Sequence, residues 1–95
     1  MELEIRHDEQ ARRYTATMDG QEVGLLTYRP AGDGLINFTH TFVPPEHRGR
    51  GIADRLVEHA LDETLERGLR FEASCWFVDV FARRHERYRQ AYAQA

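Results

Sequence analysis

Ninety-five residues, 41% hydrophobic and 31% charged, suit one globular domain with a modest core and exclude a disordered chain. All 13 cationic side chains are arginines, which excludes lysine-dependent Schiff-base and P-loop chemistry, and the net charge of −3 argues against a general nucleic-acid binder. The charged start MELEIRHDEQ is no secretory signal, no apolar run reaches the ~20 residues of a membrane span, and the lone Cys75 suits a reducing compartment, so a single cytoplasmic domain over residues 1–95 is expected.

The first forty residues alternate as antiparallel strands do. Leu3 and Ile5 sit between charged neighbours, and Tyr14, Ala16 and Met18 repeat the pattern. Asp19-Gly20 predicts a tight hairpin turn, Val23 to Tyr28 the return strand, and Pro30 to Gly34 a loop. Leu35 to Val43 predicts a further strand, with Phe38, His40 and Phe42 on one face and Thr39, Thr41 and Val43 on the other. Pro44 and Pro45 cannot donate to a ladder, so pairing is expected to stop or splay there.

From Gly51 the period lengthens. Ile52, Leu56, Ala60 and Thr64 lie four apart, with Ala53, Val57, Leu61 and Leu65 beside them, which predicts an amphipathic helix ending near Gly68. Leu69 to Cys75 predicts a strand, and Phe77 to about Ala93 one or two helices. Strand, helix and strand in that order form a right-handed parallel crossover, so the fold class is α+β with a mixed sheet.

The stretch VPPEHRGRGIA, Val43 to Ala53, joins a strand to that helix. A helix N-terminus offers unpaired N–H groups and roughly half a positive charge, which together make an anion site. Gly49 and Gly51 leave the backbone open to a bulky anion, while Arg48, Arg50 and Arg55 supply forked donors suited to phosphate. A dinucleotide-binding loop starting at Gly49 would need glycine at position 54, where the chain has Asp54.

Arg48-x-x-Gly51-x-Ala53 after a strand and Val-x-Pro resembles the acyl-CoA signature of the GNAT superfamily of N-acetyltransferases. Thr39-His40-Thr41, Cys75 and the stretch from Phe81 through His85 to Tyr88 extend the likeness to short GNAT-like proteins that are little more than a CoA-binding core. Glu86 stands where that family usually has proline, and Trp76 where it often has proline or serine. The resemblance implies a mostly antiparallel GNAT-like sheet with a central β-α-β acyl-CoA-binding unit and C-terminal helices. It implies acetyl-CoA as co-substrate, with pyrophosphate on Arg48, Gly49, Arg50, Gly51, Ile52 and Ala53. The pantetheine would lie along Thr41, Phe42 and Val43, and Phe81 and Arg84 would contact the cofactor from the last helices.

Within that frame Cys75 is the candidate to protonate the leaving thiolate or accept the acyl group, against a packing role for a buried thiol. His40 is the candidate base, against a hydrogen-bonded core histidine. His47 reads as a surface residue or phosphate contact, and His7 and His59 as solvated. His85-Glu86 begins like a zinc motif, but Arg89 stands where its second histidine belongs, so no metal is expected. Only Asp8 to Gln10 separates the first strand pair, too little for substrate-shaping helices, so an open acceptor site for an amine on a protein or polyamine is expected. A non-catalytic CoA-binding module is the alternative reading, and a nucleic-acid or general phosphate binder the third.

Overall fold

The computed structural model describes residues 2–94. The alternating segments form β1 (Leu3–Asp8), β2 (Arg13–Met18), β3 (Gln21–Gly32) and β4 (Leu35–Phe42), and β5 (Arg70–Ala73) follows the long helix α1 (Ile52–Glu66). Two short helices, α2 (Trp76–Arg84) and α3 (Glu86–Arg89), close the chain. The strands lie in sequence order in one five-stranded sheet, antiparallel except for the parallel β4–β5 pair. The mixed, mostly antiparallel α+β architecture is the one the sequence predicts, with β4-α1-β5 as its crossover unit.

The helical period decides how α1 packs. Ile52, Leu56, Val57, Ala60, Leu61 and Thr64 are buried along one stripe, against Tyr14, Ala16 and Leu26 of the sheet. Each buried aliphatic side chain contributes about 1.5–3 kcal/mol. Gly24 sets how closely α1 approaches, because a Cβ there would stand 3.0 Å from Leu56 and 3.1 Å from Ile52. Val78, Phe81, Ala82 and Tyr88 bring α2 and α3 into the same core.

Three local expectations change. β3 runs on through Pro30 to Gly32 where a loop was expected. The β2 register with β3 ends at Thr27, so the missing N–H of Pro30 takes nothing from a ladder on that side. In β4, Tyr28 opposes Phe38 and Thr27 opposes His40, leaving Thr39 as an extra residue in a β-bulge. The bulge reverses the alternation: Phe38 stays in the core, Thr41 shares a face with buried Leu26, and His40 and Phe42 turn to the other face, exposed. Phe38, His40 and Phe42 therefore do not share a face. Finally, the chain after α3 bends back along the outer edge of β5, where Phe71 N–H donates to the Ala91 carbonyl and the Phe71 carbonyl accepts from Ala93 N–H.

Candidate functional site

β4 and β5 part company at Phe38. Their pairing runs from Leu35–Arg70 to Phe38–Ala73, and β4 then continues alone on that side to Phe42. Asn37 and Phe38 make the parting. The Phe38 carbonyl accepts from Ser74 N–H (3.0 Å) and Cys75 N–H (3.1 Å), which turns the chain out of the ladder two residues earlier than the sequence suggests. Asn37 Oδ1 accepts from the Ser74 N–H and hydroxyl, and its amide donates to Glu72 at 2.8 Å. The splay is thus set at Phe38, six residues before Pro44, and the prolines only end the β3–β4 ladder and start a 3-10 turn at Pro45–His47.

Beyond that turn the backbone opens. Gly49 and Gly51 adopt φ of +83° and +75°, a conformation costly for any residue with a Cβ, and nothing lies within 4 Å of where a Cβ would stand. The first internal bond of α1 runs from Arg55 N–H to the Gly51 carbonyl at 3.1 Å. Among the described residues, no hydrogen bond engages the N–H groups from Gly49 to Asp54. Gly49 and the residues from Gly51 to Asp54 line a hollow of about 250 Å³ with Val43, His47, Arg48 and Phe77. It continues on one side into a slot of about 280 Å³ beside Thr41, Phe42 and Val43. On the other it opens into a groove of about 530 Å³ between the first two turns of α1 and the Trp76, Phe77, Val80, Phe81 and Arg84 face of α2.

The arginines divide sharply by location. Arg50, Arg55 and Arg84 line the groove, and among the described residues none makes an ion pair or a side-chain hydrogen bond. Arg48 is partly engaged, its Nε donating to the Val43 carbonyl at 2.8 Å and so bracing the end of β4. The C-terminal arginines are mostly occupied. Arg83 pairs with Asp79 (2.8 Å), Arg87 with Asp62, and Arg89 donates twice to the Arg83 carbonyl. Hydrogen bonds from Tyr92 and Arg83 hold the Asp79 carboxyl below its usual range, while burial and the Asp62 hydrogen bond push Tyr88 up to about 12.

Cys75 is half-buried and its Sγ lies 3.3 Å from Thr41 Oγ1, across the mouth of the splay. His40 stands on the opposite face, exposed and stacked on Phe42 at 6.4 Å. The structure therefore brings Cys75 together with Thr41 and separates it from His40. Ile52 is buried and fixes the first turn of α1, while Ala53 lines the slot. Phe81 is stacked on His85 at 4.1 Å, and the His85 Nδ1–H donates to the Phe81 carbonyl, which leaves Nε2 as the imidazole acceptor. His47 faces the hollow, its Nδ1 buried without a partner among the described residues.

Sequence reasoning misplaced His7. Its side chain is 10% exposed, stacked on Tyr14 at 4.1 Å and bonded to Glu63 and Tyr28. It looked solvated because its strand neighbours are charged. Asn37 was missed too, and its only signal was a poor strand former inside a strand. Trp76, 75% exposed on the groove, was noted only as a departure from pattern. Among the described residues, no cluster of His, Cys, Asp or Glu is arranged for a metal, and no helix is long and apolar enough to cross a membrane.

A parallel strand pair that splays into a glycine-opened helix N-terminus is the arrangement implied by the resemblance to the GNAT N-acetyltransferases. The family model described as GCN5-related N-acetyl-transferase matches residues 13–91, and the chain belongs to that family. It is 34% identical to Protein NATD1 of Bos taurus over 82 residues, 85% of this chain and 73% of that protein. Its fold matches the solution structure of a GCN5-like protein from Staphylococcus aureus with a TM-score of 0.74 and 26% identity, covering 95% of this chain and 87% of that one. It also matches a GNAT family acetyltransferase from Brucella melitensis in complex with acetyl-CoA, with a TM-score of 0.58 and 26% identity, over 65% of this chain and 45% of that one.

Proposed function

We propose that the chain is a minimal N-acetyltransferase that takes its acetyl group from acetyl-CoA and delivers it to an amine at an open site. One observation carries this reading: the unengaged N–H groups from Gly49 to Asp54 sit where the slot beside Thr41 meets the groove bearing the unpaired Arg50, Arg55 and Arg84. A diphosphate at those donors would have the pantetheine arm on one side and the adenosine on the other. The splay after Phe38 leaves the edge of β4 available to amide groups of the arm. The bound acetyl-CoA of the Brucella relative supports the same ligand class.

In this reading the neutral amine attacks the thioester carbonyl, a C–N bond forms, and the C–S bond breaks to release the CoA thiolate. Cys75 donates a proton to that thiolate, and His40 takes the proton of the amine. The short Glu9–Arg12 turn between β1 and β2 leaves the acceptor side without enclosing helices, which favours a protein side chain or a polyamine. A second reading, a CoA-binding module without catalysis, is favoured by the separation of His40 from Cys75 and the engagement of Cys75 by Thr41.

Thermal melts with acetyl-CoA, CoA and ATP test the cofactor. Ligand at about 100 times its dissociation constant adds roughly 2.7 kcal/mol, a rise of about 10 °C or more for a domain this small. Absence of a rise with either CoA species rejects both readings. Thiol release with candidate amines then separates them, and equal rates in Cys75→Ala, His40→Ala and the parent protein remove the catalytic assignments.

A further inference from the structure

Trp76 opens α2 directly after Cys75, and the fourfold spacing of the helix puts Trp76, Val80 and Arg84 in one row along the groove. Its indole is the most exposed large apolar side chain among the described residues. The two tyrosines further along the chain are treated differently. A guanidinium covers each ring, that of Arg87 over Tyr88 at 4.8 Å and that of Arg83 over Tyr92 at 5.5 Å. Among the described residues, neither a guanidinium nor another ring covers Trp76. Phe77 lines the hollow, the slot and the groove alike, so the three form one cleft with Trp76 at the end away from Thr41.

The groove carries both signs of charge. Arg55 on the α1 wall and Arg84 on the α2 wall are unpaired, Asp54 and Glu58 share the α1 wall, and His85 keeps Nε2 as an acceptor. A string of phosphates laid there would meet two carboxylates. A purine nucleoside with a single phosphate matches the whole set: a flat ring for the indole, amine and hydroxyl donors for the acceptors, and one anion for the two guanidiniums. We infer that Trp76 is the platform on which the adenine of CoA stacks, with Arg55 and Arg84 holding its 3′-phosphate, so that the groove selects CoA over dephospho-CoA. The inference rests on the acetyl-CoA reading and adds to it the residues that recognise the nucleotide half of the cofactor.

Trp76 is the only tryptophan in the chain, so indole fluorescence reports this one position. Titrating CoA or adenosine 3′,5′-bisphosphate into the full chain should quench it, whereas pantetheine should not. By calorimetric titration Trp76→Ala should bind CoA about tenfold more weakly, and Trp76→Phe should recover most of that loss. Melting curves of the free variants should match the parent, because the ring is exposed. Dephospho-CoA should bind the parent about tenfold more weakly than CoA, and the double variant Arg55→Ala, Arg84→Ala should bind the two alike. If CoA raises Tm but leaves the fluorescence unmoved, or Trp76→Ala binds CoA as tightly as the parent, the inference is overturned and the acetyl-CoA reading stands. A parent protein that binds dephospho-CoA as tightly as CoA overturns the phosphate assignment. Absence of any rise in Tm with CoA overturns the inference and that reading together.

Discussion

The two ends of α1 treat polar groups in opposite ways. At its C-terminal half, Glu63 receives the Tyr14 hydroxyl at 3.0 Å, binds His7 and meets Arg67 at 3.3 Å, while Arg67 also holds Glu9. At its N-terminus a run of N–H groups and three nearby arginines have no protein partner among the described residues. The first end is a finished structure that ties β1, β2 and β3 to the helix. The second is electrostatically incomplete, and burying or ordering an anion there is the change that would complete it. Stability and recognition are thus assigned to different turns of one helix.

The division breaks most visibly at Glu63. Glu63→Ala strands the buried Tyr14 hydroxyl and the His7 ring, and is expected to cost about 2–3 kcal/mol, lowering Tm by roughly 10–20 °C. The CoA-induced rise in Tm should survive it; its loss would mean the two ends are coupled. At the other end, Gly51→Ala keeps an L-residue in the left-handed region and is expected to cost about 1–2 kcal/mol, while also crowding the open donors. Calorimetric titration with CoA should show binding reduced at least tenfold in that variant.

Arg84→Ala sharpens the contrast. It should leave stability within about 0.5 kcal/mol of the parent, since no partner is lost, yet weaken CoA roughly fivefold to tenfold with a shallower salt dependence. Arg83→Ala, which removes an exposed pair with Asp79, should leave CoA affinity unaltered. The smallest effect is alkaline. All four tyrosines, Tyr14, Tyr28, Tyr88 and Tyr92, are held above their ordinary value of 10.0, with burial the leading cause in each. Their contribution is therefore whole below pH 10 and is withdrawn as pH climbs toward the folded-state values. Denaturant midpoints measured from pH 8 to 11.5 should fall only above pH 10 and less steeply in Tyr14→Phe.

Much of the fold was legible because it rests on short-range periodicity. The four-residue spacing from Ile52 to Thr64 became α1 on the expected face, and Gly68, at φ +69°, follows its last turn. The anion loop was legible for a related reason: glycine and arginine at a strand-to-helix junction have a local physical meaning. The bulge at Thr39 was not, since its neighbours alternate normally in the chain and only pairing with β3 reveals the extra residue. That single bulge moved His40 away from Cys75.

By itself the sequence determined the order of the elements, the helical stripe and the character of the loop from Val43 to Ala53. Each depends on residues within a turn or two of one another. Tertiary structure alone decided where the sheet opens, which arginines stay available and which histidine is buried. Those outcomes depend on partners far along the chain: Asn37 with Ser74, Arg83 with Gln94, His7 with Glu63. A polar side chain declares its chemistry in the sequence, but whether that chemistry is already satisfied is decided only by what the fold brings beside it.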